Sequence, residues 1–222
     1  MPEVIVVSDL TKVGEQARVP DAEHPVYYMA LTPGRYEKDA APVDKTEPPK
    51  NEVLSRLTGA LAKRHYLLMA PGHPPELVLS FWWGSAKPDI DYNASDDLTQ
   101  GDFTNQRAMV ALVGADKRFE MANWHPRNLE NAATQDRHFV IVMAFDYAAA
   151  AQKQKKVLWI TRMSMPSAGV DLAAAIPALV TTGGPAFGRN ALPAWIDSSK
   201  MQEEHVILAP LEVKGVVPEE KK

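Results

Sequence analysis

Residues 137–165 constrain the fold more than any other segment. Phe139, Ile141, Met143, Phe145 and Tyr147 alternate with Val140, Val142 and Ala144, so both faces of one extended run are apolar. Such a strand must be covered on both sides, which predicts a central place in a sheet. The excursion Ala148–Lys156 (AAAAQKQKK) then separates it from a second strand-like run, Val157 to Met165. A parallel return needs a crossover of about a dozen residues or more, so the shorter link predicts an antiparallel hairpin.

Other elements assemble around this hairpin. His24 to Leu31 reads as a strand closed by the turn Thr32-Pro33-Gly34, and Glu76 to Trp83 as another strand behind Pro71-Gly72-His73-Pro74-Pro75. Between them, residues 35–50 mix charges and prolines with almost nothing to bury and read as a solvated connector. Asn51 reads as the N-cap of a helix whose Val53, Leu54, Leu57, Ala60 and Leu61 recur at helical spacing through Tyr66. Asn105 to Lys117 is a short helix stopped by Gly114, and residues 119–137 carry neither period and read as irregular. Asp171 caps a helix over Leu172 to Val180, and Val206 to Val213, interrupted by Pro210, reads as an edge strand. The expectation is an α+β fold: a mixed, largely antiparallel sheet with helices packed on one face. We expect a single domain over residues 1–222, with a core of about 24–182, an irregular insertion at 103–137 and a C-terminal extension at 183–222.

Composition removes several classes of function. The absence of cysteine excludes disulfides, thiolate nucleophiles and cysteine-held metal centres. A net charge of −4 argues against a chain built to coat nucleic acid or an anionic membrane. No run reaches the roughly 18 apolar residues that span a bilayer, and Met1 to Val7 lacks the charged and long apolar regions of a signal peptide. The expected location is the cytoplasm, or the periplasm or outer membrane surface where a leader has been removed.

Chemistry-bearing patterns are few. Asp89, Asp91, Asn93, Ser95 and Asp97 place oxygen-bearing side chains at alternate positions, as a calcium loop does. Ala94 stands where such a loop needs glycine and Gln100 where it needs a bidentate glutamate, so a calcium-stabilised loop over residues 89–102 is one reading beside that of a solvated acidic loop. No other cofactor is expected. His125 and His138, with Asp136 close in sequence, form a second reading, a hydrolase or metal-dependent site, although no pair of histidines has the spacing of a zinc helix. Ser85 follows one glycine of a nucleophile elbow without the second, and the glycine-rich stretch 181–189 follows a helix and lacks a P-loop lysine. Trp82 and Trp83 are adjacent, so on a strand they face opposite ways and one is free to join Trp124, His125 and Arg127 in a contact surface.

The helix end Ala62-Lys63-Arg64-His65-Tyr66, the strand Glu76 to Trp83 and the hairpin carrying Phe145-Asp146 and Leu158-Trp159-Ile160-Thr161-Arg162 resemble small bacterial envelope lipoproteins of unknown function. The resemblance covers residues 24–182 and departs in lacking a lipobox cysteine, in the long link 148–156 and in the insertion 103–137. It implies a compact α/β unit and brings no catalytic residue. With it, the leading expectation is a non-catalytic, extracytoplasmic module that binds or scaffolds an envelope protein partner.

Overall fold

The computed structural model describes residues 3–36, 48–88, 106–120 and 126–197. Its strands are β1 (Glu3–Leu10), β2 (Val26–Tyr36), β3 (Tyr66–Leu68), β4 (Leu77–Ala86), β5 (Arg137–Asp146), β6 (Val157–Pro166) and β7 (Ala191–Asp197). Its helices are α1 (Lys50–Ala62), α2 (Gln106–Val113), α3 (Pro126–Ala133), α4 (Tyr147–Ala151) and α5 (Leu172–Gly183). Among the described residues the strands form a seven-stranded sheet ordered β3-β2-β4-β5-β6-β1-β7. β5 takes the middle, as its two apolar faces require, and β6 returns antiparallel to it with Val140 opposite Met163. Among the described residues only β2 pairs in parallel, with β3 and β4, and the other pairings are antiparallel. The α+β class and the mixed, largely antiparallel sheet are as expected.

The side-chain period of two sorts the core into two layers. On one face Val4, Val6, Leu79, Phe81, Trp83, Val140, Val142 and Met163 pack against α1 and α5 through Val53, Leu57, Leu61, Ile176 and Leu179. On the other, Ile5, Val7, Phe139, Ile141 and Met143 pack against α2 and α3 through Met109, Leu112, Val113, Leu129 and Ala132. Helices therefore cover both faces, a correction to the expectation of one. Its source is α3, which lies inside the segment read as irregular. That helix has a stripe of only Leu129, Ala132 and Ala133, and Pro126 is its first residue, where the missing N–H costs no hydrogen bond.

Smaller corrections have similar causes. β2 runs through Thr32-Pro33-Gly34 instead of turning there, with a register shift between Leu31 and Gly34 that accommodates the proline. Helix α1 begins at Lys50 behind Pro49, so Asn51 lies in its first turn and is not the cap. Tyr66 leaves the helix to open β3. The polar excursion after β5 contains α4, capped by Asp146, whose carboxylate accepts from the Ala149 N–H at 2.8 Å. The sheet also reaches beyond residues 24–182, because β1 lies between β6 and β7 and supplies both core layers. The connector at 37–47, the acidic loop and the 206–213 run lie outside the described residues.

Candidate functional site

Most of the residues expected to carry function are not among those described. Asp89, Asp91, Asn93, Ser95, Asp97, Trp124 and His125 lie outside the described residues, as does the side chain of Arg127. Trp83 is 2 % exposed in the core beneath α1 and α5, so the tryptophan pair offers at most Trp82. Trp82 is half-buried, across from Ile141 of β5 on the opposite face.

His138 is completely buried, one strand from Ser85, its register partner. Ser85 Oγ lies 2.9 Å from His138 Nδ1, and His138 Nε2 lies 2.7 Å from the carbonyl of Val170. With the ring proton on Nε2 donating to that carbonyl, Nδ1 accepts from the serine hydroxyl. A hydroxyl, a ring and a group that orients the ring are the ingredients of nucleophile activation. Here they also bind β4, β5 and the loop before α5 into one block, satisfying a ring that has no access to solvent.

A second buried polar cluster holds α2 on the sheet. Arg162, 4 % exposed on β6, donates from Nη1 to the Ala111 carbonyl at 2.5 Å and from Nη2 to the Asp9 carboxylate, which also pairs with Lys117. Burial pushes the Arg162 guanidinium down to about 10, against the pull of Asp116. Each charge in this cluster is spent on its neighbours, so its role is attachment of the α2 layer.

Among the described residues, no helix covers the β2–β3 corner on the α2/α3 face. Helices α2 and α3 pack over β1, β5 and β6, and on that same face Tyr27, Met29 and Leu31 run along β2 beside Val78 and Ser80. Met29, Leu31 and Met69, three of the seven exposed large apolar side chains among the described residues, lie at this corner, while exposed Leu68, in register with Tyr28, turns to the α1/α5 face. Tyr27 stacks on His73, ring centroids 4.4 Å apart at 14°. The backbone is open as well, because β3 is only three residues long. On the β3 side Val26 N–H donates to the His65 carbonyl and the Tyr28 carbonyl accepts from Met69 N–H, while on the β4 side the Tyr27 carbonyl accepts from Glu76 N–H. That alternation turns the N–H and C=O of exposed Ala30 outward, past the end of β3. A short run of unpaired edge backbone flanked by flexible apolar side chains can take an added strand. Sequence reasoning looked to tryptophans and missed this corner. The signal was Pro33, which marks an edge strand within a run otherwise apolar enough to read as central.

No family model matches the chain, and no curated protein matches it. Among solved structures it is similar to a PelC dodecamer from Paraburkholderia phytofirmans at 10 % identity and a TM-score of 0.38, over 81 % of this chain and 92 % of that one. It is also similar to a PDZ domain protein from Parabacteroides distasonis at 11 % identity and a TM-score of 0.37, over 86 % of this chain and 38 % of that one. Among the described residues no helix is long and apolar enough to cross a membrane.

Proposed function

We propose that this chain is a non-catalytic binding module of the bacterial envelope that captures a protein partner by strand addition along β2. The observation that carries this is the outward-facing Ala30 backbone beside exposed Met29, Leu31 and Met69. A partner segment in extended conformation would pair with that backbone and lay alternate apolar side chains on the uncovered face. The envelope assignment rests on the resemblance to envelope lipoproteins and is tested separately, by fractionating cells that express the chain from its native locus; recovery in the cytosol alone refutes it. For strand addition the test is Ala30→Pro, which removes the outward N–H, beside Leu31→Lys, which places a charge on the face. Partners cross-linked to the wild type in cells should be lost from both variants while their melting temperatures stay within a few degrees. Unchanged partners in both variants would refute the docking edge.

The contact of Ser85 with His138 supports a second reading, a hydrolase working through that pair. Labelling of the folded protein by a fluorophosphonate at Ser85, abolished in Ser85→Ala, would establish it; an unlabelled wild type dismisses it.

A further inference from the structure

Arg137 opens β5 and is 1 % exposed, as deeply buried as Arg162 on the neighbouring strand. The two arginines are satisfied very differently. Arg162 has a carboxylate and a carbonyl on its terminal nitrogens. Arg137 donates from Nε to Ser164 Oγ at 3.1 Å, and its Nη1 and Nη2 have neither hydrogen bond nor ion pair among the described residues. A buried guanidinium without a counter-charge is costly, and burial alone pushes Arg137 down to about 10. Arg137 lines an open cavity of about 420 Å³ between α3 and the sheet end. Asn128, Asn131 and Gln135, spaced so that one side of α3 and its C-terminal turn faces the cavity, line one wall, with Glu3 on another.

We infer that this cavity binds a small ligand through a carboxylate seated on the Arg137 fork, with the ligand's neighbouring amide held by the carboxamides of α3. The two free nitrogens of a guanidinium match the two oxygens of a planar carboxylate. The carboxamides both donate and accept, which suits an amide adjoining the acid. Glu3 on the wall sets the charge limit: one cation beside one carboxylate accommodates a monoanion and repels a phosphate dianion. The volume lies within the range of small-molecule sites, roughly 300–1,000 Å³. The ligand class is therefore an N-acylated amino acid or the free C-terminus of a peptide, which share this carboxylate and amide.

The test is calorimetric titration of the full chain with N-acetylglycine, with N-acetylglycinamide as the neutral control, inorganic phosphate as the dianion and tri-glycine amide-capped at its N-terminus as the peptide. N-acetylglycine should bind, and the neutral control should not. Phosphate should bind at least about tenfold more weakly, given the repulsion from Glu3. Tighter binding of the tripeptide than of N-acetylglycine identifies a peptide terminus, and the reverse order a free acylated amino acid. Arg137→Met should abolish binding. Should that variant fail to fold, Asn131→Asp, a change at an exposed position of α3, should weaken N-acetylglycine about tenfold by adding a second carboxylate to the wall. Absence of N-acetylglycine binding, equal affinity for the neutral control or for phosphate, or unchanged affinity in Asn131→Asp would each overturn the site. Ala30→Pro should leave this binding intact, which separates it from strand addition at β2.

Discussion

Two glycines, both inside helices, should respond to the same added methyl group with opposite signs. Gly59 sits within α1, and a Cβ built there meets nothing within 4 Å. Replacing it with alanine removes backbone freedom from the unfolded chain and introduces no clash, so Gly59→Ala should stabilise the protein by about 0.5–1 kcal/mol. Gly183 closes α5, and a Cβ there would overlap Sδ and Cγ of Met163, a fully buried residue of β6. The sulfur has to move into a layer already filled by Phe81, Val140, Leu179 and their neighbours. Overpacking of this kind costs about 1–3 kcal/mol, and the flexibility of methionine together with the small propensity gain at a helix end leaves a net loss of about 1–2 kcal/mol. For a chain of this size each 1 kcal/mol moves the melting temperature by roughly 2–4 °C. Urea denaturation of both variants, with thermal scans beside it, measures the difference. Two shifts of the same sign would refute the reasoning, since it assigns the sign entirely to what the new methyl touches.

Three further outcomes follow from the polar contacts. Asp146→Ala should cost about 1 kcal/mol at neutral pH, because Asp146 caps α4 and accepts from Lys156 Nζ at 3.1 Å. The Ala149 N–H, followed by Lys156, holds the Asp146 carboxyl below the ordinary value of 3.8, so its contribution is present above that value and is lost as pH falls through the lower folded one; the gap between wild type and variant in urea denaturation should therefore close on acidification below about pH 4. Asp9→Ala should destabilise by about 3–5 kcal/mol, because it strips Arg162 of its carboxylate, whereas adding Arg162→Met to it should restore part of the loss; additive losses in the double variant would contradict the clamp. Calcium should raise the melting temperature of the wild type and leave Asp89→Asn/Asp91→Asn unmoved if residues 89–97 hold the ion, and equal responses of the two proteins would end that reading.

The parts of the fold legible in the sequence are those whose pattern is decided locally. β5 and β6 could be read because every residue from Phe139 to Ala144 is apolar and the link to Val157 is short. α3 could not, since three small or apolar positions among Asn128, Glu130 and Asn131 make a helix only once the sheet beneath supplies Phe139 and Ile141 as a floor. β3 is shorter still, and its three residues become a strand through their register with Val26 to Tyr28. The candidate sites depend on such distant decisions even more strongly. Val26, Tyr28 and Ala30 alternate with Tyr27, Met29 and Leu31, an apolar pattern on both faces much like that of β5, yet one strand is central and the other lies beside the edge. What distinguishes them is how far the neighbouring strand extends and where the helices of the second layer stop. Arg137 is the same problem in a polar residue: at the start of a strand it reads as a solvated boundary, and only the packing of α3 over the sheet end buries it without a counter-charge. The two proposed binding surfaces lie where coverage among the described residues ends, so the residues that form them carry the composition of core, and their availability is set by elements far away in sequence.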